Sequence, residues 1–94
     1  RNKYLSEEEH RNALSIYRGL SKLKEEIEGG RTDLAALLAE LRASIEASGG
    51  VVDYIEAVDA ETLEPKTAIG GTMMFPVAVY FGKTRLIDNI LVER

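Results

Sequence analysis

The chain has 94 residues, enough for one small hydrophobic core and too few for a typical dinucleotide-binding domain, a (β/α)₈ barrel or a two-domain enzyme. Sixteen acidic residues against twelve basic ones give a net charge of −4, the opposite of the usual balance in duplex-binding proteins. The chain has no cysteine and a single histidine, His10, which excludes disulfides, thiolate zinc sites and multi-histidine metal sites. No apolar run is long enough to span a bilayer and no signal peptide is recognisable, so we expect neither nucleic acid nor membrane as a partner.

The first predicted element is a helix that begins after Ser6. Ser6 and Glu9 have the spacing of a capping box, and the run of glutamates over 7–9 places negative charge where the helix dipole favours it. An apolar stripe at helical spacing follows, and Gly29-Gly30 ends the helix. The stripe consists of Ala13, Ile16, Tyr17, Leu20, Leu23 and Ile27. Because the chain opens at Arg1 without an initiator Met, already close to this helix, we expect a piece of a longer protein.

A second helix is predicted after Thr32 or Asp33, either of which is a suitable N-cap. Gly49-Gly50 supplies the C-terminal stop, and the short joint between the two helices favours an antiparallel pair. The apolar face of this helix has the spacing i, i+3, i+4, i+7. It comprises Leu34, Leu37, Leu38, Leu41 and Ile45.

After Gly50 the apolar period changes from 3.6 to 2, which predicts strands over 51–58, 72–81 and 84–92. Gly82-Lys83 has the sequence of a two-residue type II′ hairpin turn. Pro76 lacks an N–H, which favours an edge position for the second strand, with the first strand then paired to the third. The predicted core face of the second strand carries Met73, Phe75, Val77, Val79 and Phe81.

These elements predict an α+β fold in which two antiparallel helices pack on one face of a three-stranded antiparallel sheet. The other face of that sheet would carry Met74, Ala78 and Tyr80. Neither set of alternate residues in the third strand is uniformly apolar, so the sequence leaves open which set faces the core. A half-apolar second face indicates that something covers part of it.

Few residues suggest chemistry. The acidic set Asp59, Glu61 and Glu64 lacks metal-loop spacing, which favours a solvated loop, and His10 has no partner histidine or cysteine, which favours a surface role. The paired glycines lack the Lys and Ser/Thr of a phosphate loop. Arg1 is different, because arginine is the preferred bidentate partner of phosphate and carboxylate; the alternative is a flexible terminal residue.

Four separated segments resemble pantothenate synthetases, the pantoate–β-alanine ligase family. The first is the opening 1–9, where Arg1-Asn2-Lys3-Tyr4-Leu5-Ser6 is similar to the family's Ser-Ser-Arg-Asn-x-Tyr-Leu stretch. The others are Val-Asp-Tyr-Ile-Glu at 52–56, Asp-Ala-Glu-Thr-Leu at 59–63 and Gly-Lys-Thr-Arg-Leu-Ile-Asp-Asn at 82–89. They follow the family's order across the whole chain.

The resemblance implies that residues 1–94 form the single C-terminal lid domain of a cytoplasmic ligase, without its N-terminal Rossmann-like catalytic domain. It implies an ATP- and magnesium-dependent condensation of pantoate with β-alanine through a pantoyl adenylate, in an enzyme that is a homodimer. Arg1 corresponds to the family arginine that contacts the ATP phosphates, and the chain alone is expected to be inactive. The resemblance assigns no catalytic or metal-binding residue here, and Arg85, Asp88 and Asn89 mark the family without an assigned role.

Two alternatives remain open, because a fold does not imply a function. One is a non-catalytic α+β module for binding or dimerisation, and the weaker one is a regulatory domain that binds a small molecule. Upstream sequence discriminates them. A His-x-Gly-His motif and two serines directly before Arg1 would support the ligase, whereas a gene that begins near Arg1 would support the binding module.

Overall fold

A computed structural model describes residues 7–94. Two helices come first, α1 (Glu7–Glu28) and α2 (Leu34–Ala47). Six short strands follow: β1 (Val51–Ile55), β2 (Val58–Asp59), β3 (Thr72–Met74), β4 (Val77–Phe81), β5 (Thr84–Asp88) and β6 (Leu91–Glu93). The predicted α+β class is confirmed.

The helices bury most of the stripes that their spacing predicts, with Ala13 and Leu38 only partly buried. Ile16, Leu20, Leu23 and Ile27 of α1 are buried, whereas Tyr17 is 58% exposed and does not belong to the core. Helix α1 ends directly before Gly29-Gly30, and α2 ends one residue earlier relative to Gly49-Gly50, with Ser48 between them. Ser6, and with it the predicted capping box, lies outside the described residues.

Each predicted strand is divided into two, so the single predicted sheet becomes two three-stranded antiparallel sheets. Their strand orders are β1-β4-β5 and β2-β3-β6. The three breaks lie side by side, since the Glu56 N–H donates to the Pro76 carbonyl and the Phe75 N–H donates to the Ile90 carbonyl. The chain therefore bends at one level across all three segments.

The prediction that the second strand lies at an edge, and that the first strand pairs with the third, is wrong. Its two halves, β3 and β4, are the central strands of the two sheets. Pro76 lies in the break between them, where no hydrogen bond between strands needs a backbone N–H from this residue. The proline therefore interrupts the strand, but the strand keeps its central position.

One core joins the helices to the inner face of the strands. Helix α2 contacts β1, and α1 contacts β5 and β6. Met73, Phe75, Val77 and Val79 are fully buried, which confirms the predicted core face for these positions, and Phe81 packs partly buried against the same core. In the third segment the inward phase is 86, 88, 90 and 92, of which Val92 is fully buried.

Two glycines matter for this geometry. The β4–β5 hairpin closes at Gly82-Lys83 between the paired residues Phe81 and Thr84, and Gly82 adopts φ 63°, as the first position of a II′ turn requires. Gly50 allows α2 to approach the sheet closely. A Cβ atom there would lie 2.6 Å from Cγ1 of Val79 and 2.9 Å from Cγ2 of Ile45.

Candidate functional site

Arg1, the predicted contact to ATP phosphates, lies outside residues 7–94, as does Asn2. The described chain nevertheless shows where α1 begins relative to the strands. The Thr84 hydroxyl donates to Oε2 of Glu9 across 3.3 Å, so the first turn of α1 lies beside the β4–β5 hairpin. Thr84 belongs to the family-like segment 82–89.

The acidic loop after β2 forms a tight turn. Oδ1 of Asp59 accepts the N–H groups of Glu61 at 2.8 Å and Thr62 at 3.0 Å, and these bonds lower the pKa of the Asp59 carboxyl, the one from Thr62 most strongly. Leu63 follows at φ 63°, and its N–H donates to the Asp59 carbonyl. Within 7–94 no group of three His, Cys, Asp or Glu side chains is arranged to hold a metal ion, and His10 is exposed.

The outward side of the sheet β1-β4-β5 brings two family-like segments together. Arg85 of β5 donates from Nε (3.2 Å) and Nη2 (3.1 Å) to Oδ2 of Asp53 in β1. The Arg85 guanidinium carbon lies 5.9 Å from the centre of the Tyr54 ring, within cation–π range. The hydrogen bonds to Asp53 raise the pKa of Arg85.

This contact bridges strands that are not neighbours. Since β4 lies between β1 and β5, the side chains of Arg85 and Asp53 together span two strand spacings, about 10 Å in all. A register shift between Val52 and Tyr54 places Asp53 at a bulge in β1. Ala78, which pairs with Tyr54 on one side and Ile87 on the other, is fully buried although it faces outward. Its neighbours therefore cover it.

Large apolar side chains surround the ion pair. We call this surface the outer face and define it as Val51, Asp53, Tyr54, Tyr80, Arg85 and Ile87. Val51 is 66% exposed, Ile87 62% and Tyr80 39%. The outer face thus combines a paired arginine with aromatic and aliphatic side chains in contact with solvent.

A second charged cluster joins the two helices. Arg31 binds Glu26 at 2.6 Å, Asp33 at 2.5 Å and Glu40 at 2.9 Å. These carboxylates raise the pKa of Arg31, Asp33 most strongly, and Arg31 in turn lowers the pKa values of Asp33 and Glu40. Asp33 is the N-cap of α2, yet its carboxylate binds Arg31 and caps no backbone N–H. The cluster fixes the joint between the helices.

Asp88 and Asn89 have a local role. Oδ1 of Asp88 accepts the N–H of Asn89 at 2.8 Å, at the break between β5 and β6. Sequence reasoning did not find the contact of Asp53 and Tyr54 with Arg85, because these residues are about thirty positions apart on strands that do not pair. The one signal was that the two segments carrying them both resemble the same family.

A profile described as Pantoate-beta-alanine ligase matches residues 1–91. The chain belongs to this family. A pantothenate synthetase of Bacillus subtilis is 40% identical over 93 residues, 99% of this chain and 32% of the relative. One from Anaeromyxobacter dehalogenans is 49% identical over 90 residues, 95% of this chain and 31% of the relative.

A crystal structure of the Thermus thermophilus pantothenate synthetase superposes with a TM-score of 0.77 at 32% identity, covering 93% of this chain and 32% of that one. The chain thus spans about a third of the length of the relatives it matches. Among residues 7–94, no helix of this family member combines the length and apolarity needed to cross a membrane.

Proposed function

We propose that residues 1–94 form the C-terminal lid domain of an ATP-dependent ligase that joins pantoate to β-alanine. The observation that carries this proposal is the family match over residues 1–91, combined with a chain that spans a third of its relatives. The catalytic partner would be an N-terminal Rossmann-like domain in the remaining two thirds. The lid would close over the nucleotide, a gating step that excludes water and completes the site.

The proposed reaction has two steps. The pantoate carboxylate attacks the α-phosphorus of ATP, forming a P–O bond and releasing pyrophosphate. The amine of β-alanine then attacks the acyl carbon of the pantoyl adenylate, forming the amide and releasing AMP, while the amine loses a proton. Both steps depend on positioning of the reactants and on stabilisation of the negative charge that develops on the phosphate oxygens of the leaving group, pyrophosphate in the first step and AMP in the second.

Arg1 is the residue of this chain that we assign to the nucleotide. Its guanidinium has the planar fork that matches two phosphate oxygens, and the resemblance of 1–9 to the Ser-Ser-Arg-Asn stretch supports the assignment. We assign no magnesium ligand to residues 7–94, since they contain no suitable cluster of side chains. Magnesium would arrive with ATP, in a cytoplasmic homodimer.

The test uses the complete protein from which this sequence comes, with Arg1→Ala, Arg1→Lys and the control Arg42→Ala. Arg42 is half exposed and makes only a 3.8 Å contact to Glu46 on its own helix. We expect Arg1→Ala to lower kcat/KM for ATP by about 100-fold or more, Arg1→Lys by less, and Arg42→Ala not at all. Pantothenate and pyrophosphate are measured together.

Omission of β-alanine tests the adenylate. One equivalent of pyrophosphate per active site, released without pantothenate, is the expected burst. The 94-residue chain alone should form no pantothenate. Turnover by that chain would contradict the lid assignment, and a complete protein that never turns over pantoate with ATP would favour the non-catalytic module.

A further inference from the structure

Exposed apolar side chains are unevenly distributed over the described part of the molecule. Of the six exposed large hydrophobic residues described, Val51, Tyr80 and Ile87 gather on the outer face. Leu63 lies in a loop and Leu91 on β6, and Tyr17 is the one on the helices. Isolated exposed residues are ordinary, but a cluster on one sheet face indicates an interaction surface. The helical side of the molecule therefore serves as an internal reference for the outer face.

The composition of the outer face is that of an interface centre. Tyrosine and arginine are enriched among residues that dominate binding energy, particularly when apolar neighbours exclude water around them. Here Tyr54 and Tyr80 flank Arg85, and Asp53 already neutralises the guanidinium. A paired charge can be buried at lower cost than a single one.

Arg85 keeps part of its donor capacity. Both of its hydrogen bonds go to one oxygen, Oδ2 of Asp53, so Nη1 donates to no acceptor within residues 7–94. When a surface closes over this position, an N–H without an acceptor would be costly. The surface that covers Arg85 must therefore supply an oxygen acceptor.

The size of the outer face favours one occupant. Three strands about 4.8 Å apart, each with about five residues at about 3.4 Å per residue, cover roughly 250 Å². A stable contact between separate molecules buries about 800 Å² on each partner. A segment of the same polypeptide does not need that area, because its effective concentration is high. The relatives are about three times as long as this chain, which provides such a segment.

We infer that the outer face docks against the rest of the same ligase polypeptide, with Arg85 donating from Nη1 to an oxygen acceptor there. Asp53 is a positioning residue, because it holds the guanidinium across β4 in the orientation that presents Nη1. The inference rests on the proposed function and names the surface that the lid would use.

The first experiment is hydroxyl-radical footprinting of the complete wild-type protein, with and without ATP, read by mass spectrometry. Tyr80 is compared with Tyr17. We expect Tyr80 to be labelled at least about fivefold more slowly than Tyr17, a larger ratio than their exposed fractions of 39% and 58% explain. Equal labelling after correction for exposure would overturn the inference. So would protection that disappears on dilution, because it would point to a second copy.

The second experiment compares Arg85→Ala, Arg85→Lys and Asp53→Asn with Arg42→Ala in the complete protein. We expect Arg85→Ala to lower kcat/KM by about tenfold or more and to abolish the protection of Tyr80. Arg85→Lys and Asp53→Asn should each lose part of kcat/KM and part of the protection of Tyr80, since a positive charge remains at position 85 but is no longer held in the same orientation. Loss of activity with Tyr80 still protected would contradict the role of Arg85.

The two proposals fail in different ways. An active ligase with Tyr80 labelled as freely as Tyr17 disproves the docking inference and leaves the function intact. A protected outer face in a protein that makes no pantothenate disproves the function and leaves the interface.

Discussion

On β4, Val77 and Val79 point toward the helices and are fully buried, while Tyr80 on the opposite side is 39% exposed. The inner face consists of aliphatic side chains and Phe75 packed against α1 and α2, and it contains no buried polar group among the described residues. The outer face is held by the ion pair between Arg85 and Asp53 and by the contact of the Arg85 guanidinium with the ring of Tyr54. The inner face therefore carries the stability of this chain, whereas the outer face is suited to recognition.

The largest expected effect compares one truncation on each face. Phe75→Ala empties a fully buried site between β3 and β4 and should cost about 3–5 kcal/mol of unfolding free energy. Ile87→Ala on the outer face should change it by no more than about 0.5 kcal/mol, because Ile87 is mostly exposed. Urea denaturation followed by circular dichroism measures both. Similar losses for both variants would show that the outer face also stabilises the isolated chain.

The second prediction concerns how closely α2 approaches the inner face. Gly50→Ala would place a Cβ atom 2.6 Å from Val79 and 3.0 Å from Phe81, so we expect a loss of about 1–3 kcal/mol. Gly70→Ala is the matched control, since no atom lies within 4 Å of its added Cβ. Thermal unfolding of the two variants measures the difference. Equal midpoints would mean that α2 moves away from the sheet without cost.

The smallest effect belongs to a loop outside both faces. Because backbone N–H groups lower the pKa of Asp59, its carboxylate stabilises the fold above its ordinary pKa, and this contribution is lost as pH falls through the lowered value. Asp59→Asn should lower the melting temperature near neutral pH, and the difference should shrink below about pH 4.

The measurement is the melting temperature as a function of pH, with Glu61→Gln as the control. The backbone N–H groups of Glu61 and Thr62 donate to the Asp59 carboxylate and not to the Glu61 carboxylate. A constant difference between wild type and Asp59→Asn across the pH range would contradict an electrostatic origin.

Local patterns alone determined the helices with their buried faces, the three strand segments and the core side of the second segment, whereas the inward phase of the third segment stayed open. Helical spacing identified Leu20, Leu23, Leu37 and Leu41 as buried, and alternation identified Phe75 and Val79. These predictions are correct because the backbone period determines which side chains share one face, and the apolar face is the one that is buried. The resemblance of separated segments similarly indicated the family before any contact between them was visible.

The strand order and the outer-face contact were decided only by the tertiary structure. Pro76 was compatible with an edge position, and its actual place in a break depends on the neighbouring breaks near Glu56 and Ile90. The contact between Asp53 and Arg85 requires β1 and β5 to flank β4 on the same side of one sheet. Sequence periodicity specifies which side of a strand is apolar, but pairing between strands depends on the whole packed chain, and so the assembly of this surface could not be predicted from its segments.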